Sequence, residues 1–280
     1  MWCEIKRPTS DDVARLLAYA EDHMPYLGFL AGNLHTHGTQ DEGEPYQGTY
    51  LIATDDQDRI IGTAAHYNLG STVIYADNTA AARELADHIV RATGPPKYVL
   101  GEEACARTLL DRLAADGATP ENIDEYVAAE LTAQTFTPTE TSSVRPARRE
   151  ETPILAAMRA AYHHEHFGRQ PDLAGEIADL EERFETVLPY VAETQGRIAG
   201  CCIALAATPR AAFIGGMYVD PRLRGRGIGK SLMSGICARL LPGRQRIVLI
   251  VRQSNEPARR CYQSVGFADV GPYLIVRMRD

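Results

Sequence analysis

The second half of the chain carries hydrophobic patterns that predict alternating helices and strands. Apolar residues at 173, 177, 180 and 184 recur with the helical period and predict a helix over residues 173–187. Short apolar runs bounded by turn residues predict strands, and capping and breaking residues delimit three further helices. The strands are expected at 143–145, 189–194, 197–206, 211–219, 246–252 and 273–278, and the other helices at 153–166, 227–241 and 257–265. This half therefore predicts a domain that mixes helices with a sheet.

The first half repeats part of this order. Residues 50–54, a polar turn and residues 59–62 match residues 190–194, a turn and residues 197–200, and Tyr75-Ala76-Asp77 matches Tyr218-Val219-Asp220. Any two hairpins look partly alike, but the nearly constant offset favours a duplicated fold. The segment 137–143 contains no apolar residue and predicts a linker between the two copies.

Composition and charge narrow the classes of function. The 280 residues are 45% hydrophobic and 24% charged, which is typical of one large or two ordinary globular domains. Residues 1–140 carry 9 basic and 23 acidic residues, whereas residues 141–280 carry 20 basic and 14 acidic ones. The basic half favours an anionic partner. Nucleic acid is disfavoured because the chain has no lysine-rich run and a net charge of −8.

The same sequence argues against a membrane or secreted location. No apolar run reaches the roughly 18 residues that cross a bilayer, and no apolar segment follows the charged N-terminus. The six cysteines are scattered and form no metal-binding spacing. We expect a cytoplasmic protein without a metal or a membrane partner.

One glycine-rich turn carries the clearest chemistry. In Arg224-Gly225-Arg226-Gly227-Ile228-Gly229, glycines alternate where a predicted strand becomes a predicted helix. Glycines permit a tight turn with exposed amides, and the first amides of a helix have no partner within it. With the positive end of the helix dipole, these groups form an anion site that suits a pyrophosphate.

Three nucleotide-binding patterns compete for this turn. A P-loop requires glycine at position 224, which is Arg224, and a dinucleotide fingerprint requires glycine at position 230, which is Lys230. The third pattern, [Arg/Gln]-x-x-Gly-x-[Gly/Ala], is met by Arg224, Gly227 and Gly229. Coenzyme A, which carries a pyrophosphate and a further phosphate, is one polyanion that the basic half could meet.

Two motifs in this order resemble the GNAT superfamily, the GCN5-related N-acetyltransferases. They are residues 218–229, with the glycine-rich turn, and residues 255–267, which contain Asn255-Glu256-Pro257 and Tyr262. The resemblance covers residues 143–280 as a catalytic, acyl-CoA-binding domain. It implies an α/β (α+β) fold of two GNAT-like domains in tandem, each a mixed, mostly antiparallel central sheet flanked by helices. Residues 1–136 are a degenerate copy and residues 137–142 a linker.

The resemblance also implies the site. The backbone of Met217, Tyr218 and Val219 would pair with the pantetheine arm of acetyl-CoA, and Asn255 would contact that arm or order its loop. The pyrophosphate would lie on the turn formed by Arg224, Gly225, Arg226, Gly227, Ile228, Gly229 and Lys230. Tyr262 would be the general acid. The implied reaction is direct transfer of an acetyl or acyl group to a primary amine of a small molecule, an amino acid or a peptide.

Some points stay open in the sequence. The strand before the turn has no glutamate to act as general base, so Glu193 is the candidate, unless a water chain removes the proton. The cluster His163-His164-Glu165-His166 is expected to be a solvated helix end rather than a metal site, because its spacing does not place three ligands on one face.

A non-catalytic module that binds coenzyme A or acyl-CoA is the alternative function. A monomer or a homodimer is expected. A monomer is plausible because the two copies of a tandem chain can mimic a dimer internally.

Overall fold

The computed structural model of the protein describes residues 3–139, 144–168 and 170–279. The described chain divides into two compact units. The first contains residues up to Ala129 together with 250–254 and those from Asp269 on, and the second contains 130–249 and 255–268. Two stretches that the sequence assigned to the second domain thus pack with the first unit. Part of the predicted linker, residues 140–143, lies outside the described residues.

Both halves of the chain are built from the same succession of elements, which confirms the duplicated fold. In the first half these are β1 Glu4–Lys6, α1 Val13–Asp22, α2 Met24–His37, β2 Gly48–Thr54, β3 Ile60–Tyr67, β4 Ser71–Ala76, α3 Thr79–Thr93, β5 Tyr98–Glu102, α4 Glu103–Ala115 and β6 Pro120–Thr132. In the second half they are β7 Val144–Pro146, α5 Thr152–Phe167, α6 Leu173–Val187, β8 Pro189–Thr194, β9 Arg197–Ala207, β10 Ala211–Val219, α7 Ile228–Leu240, β11 Arg246–Arg252, α8 Glu256–Gln263 and β12 Ala268–Met278.

The sheet of the first unit has the strand order β1-β2-β3-β4-β5-β12-β6. β4 and β5 are parallel, whereas β12 pairs antiparallel with β5 from Tyr273 to Arg277. Side chains of α3 and α4 pack on one face of this sheet, and Leu85, Ile89 and Leu109 are almost completely buried there. The last strand of the chain therefore completes the core of the first unit.

The second unit has the strand order β11-β10-β9-β8-β7. β10 and β11 are parallel, and the other pairs are antiparallel, so the sheet is mixed and mostly antiparallel as expected. Asp172 begins α6 by accepting a hydrogen bond from the Gly175 amide at 3.0 Å. Leu180, Phe184 and Val187 are buried along one face of α6, which with α5 covers the sheet.

The predicted elements coincide closely with those of the structure, with one instructive difference at β12. This strand begins at Ala268 rather than at residue 273. At Gly271 the chain passes so close to the Tyr26 hydroxyl that a Cβ atom would lie 2.4 Å from it. The glycine is needed for close packing and does not end the strand.

Candidate functional site

The parallel pair β10 and β11 separates part of the way along. The two strands are in register only from Ala211 opposite Arg246 to Phe213 opposite Val248. β10 continues to Val219 and stays paired with β9 on its other side. Its register with β9 shifts after Gly215, where Gly216 has φ +60°. The last six residues of β10 therefore present a backbone edge without a ladder on the β11 side, which is suited to an added extended chain.

At the end of β10 the chain enters the glycine-rich turn and then α7. Gly225 and Gly227 have φ values of +76° and +79°, in the left-handed region that favours glycine. Gly227 is the N-cap of α7 and provides no side chain to cap it. The first hydrogen bond into the helix runs from the Ser231 amide to the Gly227 carbonyl, at 3.0 Å. The amides of residues 228–230 therefore have no partner within the helix, so the N-terminus of α7 is an uncapped anion site.

Three elements meet at the first turn of α7. A Cβ atom placed on Gly229 would lie 3.7 Å from the Cys261 sulfur, 3.7 Å from the Met217 side chain and 3.8 Å from that of Val219. The free amides, the open edge of β10 and the α8 helix thus lie in one neighbourhood. The structure brings together residues of β10 and of the turn that the sequence predicted to bind the coenzyme.

The cations around this turn have different partners. Arg224 is held by the Glu165 carboxylate through two hydrogen bonds of 2.8 Å, and its Nε donates to the Val219 carbonyl at 3.0 Å. Its guanidinium also lies 5.4 Å from the centre of the Tyr218 ring. In contrast, Arg226 and Lys230 form no ion pair within the part of the chain that the structure describes. These two residues are better placed than Arg224 to give charge to a phosphate.

Tyr262 lies on α8, with its ring 6.0 Å from that of Phe267. Burial raises the pKa of Tyr262 well above its ordinary value, and the neighbouring Cys202, Tyr162 and Cys261 raise it further. A small part of the residue remains accessible to solvent. A tyrosine with a raised pKa keeps its proton at neutral pH, so a proton is present at this position for transfer to a leaving group.

Asn255 has a local role in the structure. Its side chain accepts a hydrogen bond from the Ala258 amide at 3.2 Å and caps α8. Of the two roles that the sequence allowed, this contact corresponds to the ordering of the loop and helix. By fixing the start of α8, Asn255 fixes the position of Tyr262 two turns later.

Glu193 lies apart from the group around Gly229. It is on β8, which is separated from β10 by β9. Arg145 forms ion pairs with both Glu193 and Glu151, the latter at 2.7 Å. We therefore do not retain Glu193 as the general base.

The Arg145 network gives a prediction about stability. Glu151 is buried, and the hydrogen bonds from Arg145 hold its pKa at about 2, below the usual 4.5. Glu151→Gln should lower the free energy of unfolding by about 3 kcal/mol at pH 7. A lowered pKa in the folded state stabilises the fold above pH 4.5, and this contribution disappears as the pH falls toward 2.

Urea unfolding of the wild type and of Glu151→Gln at pH 7 and at pH 3.5 checks this expectation. The difference between the two proteins should shrink at the lower pH. A difference that is the same at both pH values would contradict the assigned role of the carboxylate. Glu185→Gln, at an exposed ion pair with Arg149, is the control and should change stability little.

The region of the first unit that corresponds to the glycine-rich turn and the open edge of β10 is closed. β4 and β5 pair over four consecutive positions, and a Cβ atom on Gly101 would lie 2.5 Å from the Ile74 carbonyl oxygen. The Cys105 sulfur contacts both the amide and the carbonyl of Ala76. The Asn78 side chain caps α3 by accepting from the Ala81 amide at 3.0 Å. At the position that corresponds to the glycine-rich turn, the described residues of the first copy therefore show a capped helix N-terminus and a strand that stays paired up to Ile74.

Aromatic side chains fill the space at the end of β4. Tyr26 stacks on Tyr75 with 5.4 Å between the ring centres, and His23 lies 4.7 Å from Tyr75. The Tyr19 hydroxyl donates to Asp77 at 2.9 Å. The corresponding position in the second unit is the end of β10, so these rings occupy the place that the second copy leaves open.

The histidine cluster at the end of α5 is less solvated than the sequence suggested. His163 contacts the Glu176 carboxylate of α6, whose side chain is only 13% exposed. The sequence analysis missed this pairing, although the spacing holds a signal for it: Arg159 and His163 are four residues apart on α5, and Glu176 and Asp179 are three apart on α6.

Among the described residues there is no group of side chains arranged to bind a metal ion, and no helix is long and apolar enough to span a membrane.

Comparison with known protein families gives a match that lies almost entirely in the second unit. Residues 153–267 match the family model of the Acetyltransferase (GNAT) family. None of the curated proteins matches this chain in sequence.

Solved structures resemble the whole chain. A Drosophila protein matches at 13% identity, with 98% of each chain covered and a TM-score of 0.71. A GCN5-related N-acetyltransferase from Sphaerobacter thermophilus matches at 18% identity over 98% of this chain and 95% of that one, with a TM-score of 0.55. A tandem GNAT protein from the clavulanic acid biosynthesis pathway matches at 13% identity over 98% of each chain, with a TM-score of 0.54. At these identities the likeness shows the fold, and it extends over both halves.

Proposed function

We propose, from the premise that this chain carries an acetyltransferase domain of the GNAT family, that it transfers an acetyl group from acetyl-CoA to a primary amine. The acceptor would be a small molecule, an amino acid or a peptide. The observation that carries the proposal is the uncapped N-terminus of α7 beside the open edge of β10. The first unit, which has neither feature, would be a degenerate copy without its own coenzyme.

The free amides and the nearby cations of the second unit support acetyl-CoA as the coenzyme. The pyrophosphate would accept hydrogen bonds from the amides of residues 225–230, and Arg226 and Lys230 would add charge. The pantetheine arm would pair with the free backbone edge of residues 217–219. The packing of the protein does not require a glycine at position 229, because a Cβ atom there would lie at least 3.7 Å from its neighbours. The missing side chain would instead let the coenzyme approach the helix closely.

The proposed reaction requires that the amine and the thioester are held in position and that protons are transferred. Acetyl-CoA supplies an activated thioester, whose carbonyl is open to attack by a neutral amine. Backbone amides near Val219, at the bulged end of β10, are the candidates to stabilise the oxyanion. Tyr262 would give its proton to the leaving thiolate. Holding both reactants in place can lower the barrier by about 7–11 kcal/mol.

A non-catalytic module that binds acyl-CoA is the alternative, and an assay separates it from the enzyme. Purified protein is mixed with acetyl-CoA and a panel of amines, including glycinamide, phenethylamine and putrescine, and the released thiol is measured. Thiol release that depends on the amine, with the acetylated amine detected by mass spectrometry, supports the enzyme. Coenzyme binding without release at any amine would favour the binding module.

The closed first unit gives a second expected result. Because its helix is capped by Asn78 and its strands are paired, it should bind no coenzyme. Titration calorimetry with acetyl-CoA should give one site per chain. Two sites of similar affinity would show that the first copy keeps its function.

A further inference from the structure

The proposed reaction lacks a proton acceptor, and the structure holds a histidine–carboxylate pair at the end of α5 that the sequence did not identify. The His163 Nδ1 atom contacts a Glu176 carboxylate oxygen. Since a carboxylate accepts, Nδ1 carries the proton and donates it, which leaves the lone pair of Nε2 free. Within the described residues, no hydrogen-bond partner reaches Nε2.

The pair is built into the contact between two helices. The Glu176 side chain is 13% exposed and the His163 side chain 22%. Arg159 Nε lies 3.1 Å from the other oxygen of Glu176, and Arg159 also forms a 2.8 Å ion pair with Asp179. The rings of Tyr162 and Phe167 lie 5.5 and 6.1 Å from that of His163. These contacts fix the imidazole in one orientation and one tautomer.

The last turn of α5 is linked to the proposed site through Glu165, two residues after His163. Glu165 binds Arg224, which contacts the Val219 carbonyl and the Tyr218 ring. The turn that carries His163 is thus held by an ion pair at the end of β10. All of these residues belong to the second unit.

We propose that His163 is the general base of this acetyltransferase and that Glu176 is its positioning residue. This rests on the proposed function. The charged groups that face His163 are Glu176 and Asp179 on α6 and Arg159 on its own helix.

The step balances without a further reactant. The amine nitrogen forms a bond to the carbonyl carbon, and the carbon–sulfur bond breaks with its electron pair leaving on sulfur. One proton passes from the nitrogen to His163 Nε2, and one passes from Tyr262 to the thiolate. Solvent then takes the proton from the imidazolium and returns one to the phenolate, so an amide and free coenzyme A result.

The test compares kcat/KM across pH 5 to 9 for the wild type, His163→Gln, Glu176→Gln and His164→Gln, with the fastest amine of the panel. His163→Gln should lose roughly 100-fold in kcat/KM, the magnitude typical of general base catalysis, and should lose the acidic limb of the pH profile. Glu176→Gln keeps a hydrogen-bond acceptor but no charge, so its acidic limb should move to lower pH.

His164→Gln, the same change on the exposed side of the same turn, should keep the wild-type rate and profile. The affinity for acetyl-CoA, measured by calorimetry, should stay within about threefold in all variants, since none alters the helix N-terminus that holds the pyrophosphate.

The outcomes separate the two proposals. If the wild type turns over an amine while His163→Gln retains both its rate and its acidic limb, His163 is not the base and the proposed function stands. If His163→Gln fails to fold, an unshifted limb in Glu176→Gln overturns the inference by itself. If the wild type turns over no amine, the proposed function fails, and this inference fails with it.

Discussion

Gly227→Val should weaken the binding of acetyl-CoA by roughly 100-fold or more. Gly227 has φ +79°, and a β-branched residue there is strained by about 1–2 kcal/mol. The chain would relieve this strain by turning the amides at the start of α7 away from the pyrophosphate. The loss of two hydrogen bonds to a charged group, each contributing about 1.5–3 kcal/mol, accounts for the expected effect.

A matched control separates strain from binding. Gly243, which follows α7, has φ +80°, and like Gly227 it has no atom within 4 Å of the place where a Cβ would lie. Gly243→Val should lower the melting temperature as much as Gly227→Val does, yet leave the dissociation constant of acetyl-CoA within about threefold. Equal losses of affinity in both variants, measured by calorimetry, would show that the turn has no special part in binding.

Tyr262→Phe should lower kcat roughly tenfold or more while coenzyme affinity stays within a few-fold. The substitution removes only the hydroxyl, so the ring keeps its place beside Phe267. The thiolate must then take its proton from water, which is not held in position. Steady-state rates and calorimetry on the same preparation measure the two quantities.

Tyr190→Phe is the control for this change. Tyr190 is a buried tyrosine of the same unit whose pKa is also raised by burial, but it lies on β8. Its hydroxyl has no part in the proposed reaction, so kcat should not change. A kcat for Tyr262→Phe equal to that of the wild type would exclude Tyr262 as the general acid.

The elements of the second unit were predictable because their signals are local. The helix over 173–187 and the strands over 189–194, 211–219 and 246–252 have the predicted bounds. Each is an apolar stripe or run bounded by glycine, proline or a capping residue, and such patterns act within a few residues. The glycine-rich turn was predictable for the same reason, because the positive φ at Gly225 and Gly227 favours glycine at both positions.

The partners of the charged residues were not predictable because they come from distant parts of the chain. Arg224 was expected to face a phosphate, but Glu165, 59 residues earlier, holds it. Glu193 was expected to face the acceptor, but Arg145, 48 residues earlier, holds it. Which ion pairs form depends on how strands and helices pack, and the spacing within one element does not contain that information.

The pairing partner of the final strand could not be predicted either. Residues 273–278 have an apolar pattern that fits a strand in either copy of the fold. The structure pairs Tyr273 to Arg277 with β5 of the first half. Because two similar sheets offer similar edges, the sequence pattern predicts the strand but not its partner.

A crystal structure of the protein with acetyl-CoA tests the central claim most directly. We expect the pyrophosphate oxygens within hydrogen-bond distance, about 2.7–3.2 Å, of main-chain nitrogens between Gly225 and Lys230, with the thioester beside Tyr262. Only one coenzyme should be present per chain. Electron density for the coenzyme elsewhere, with the α7 N-terminus free of it, would contradict the proposed site.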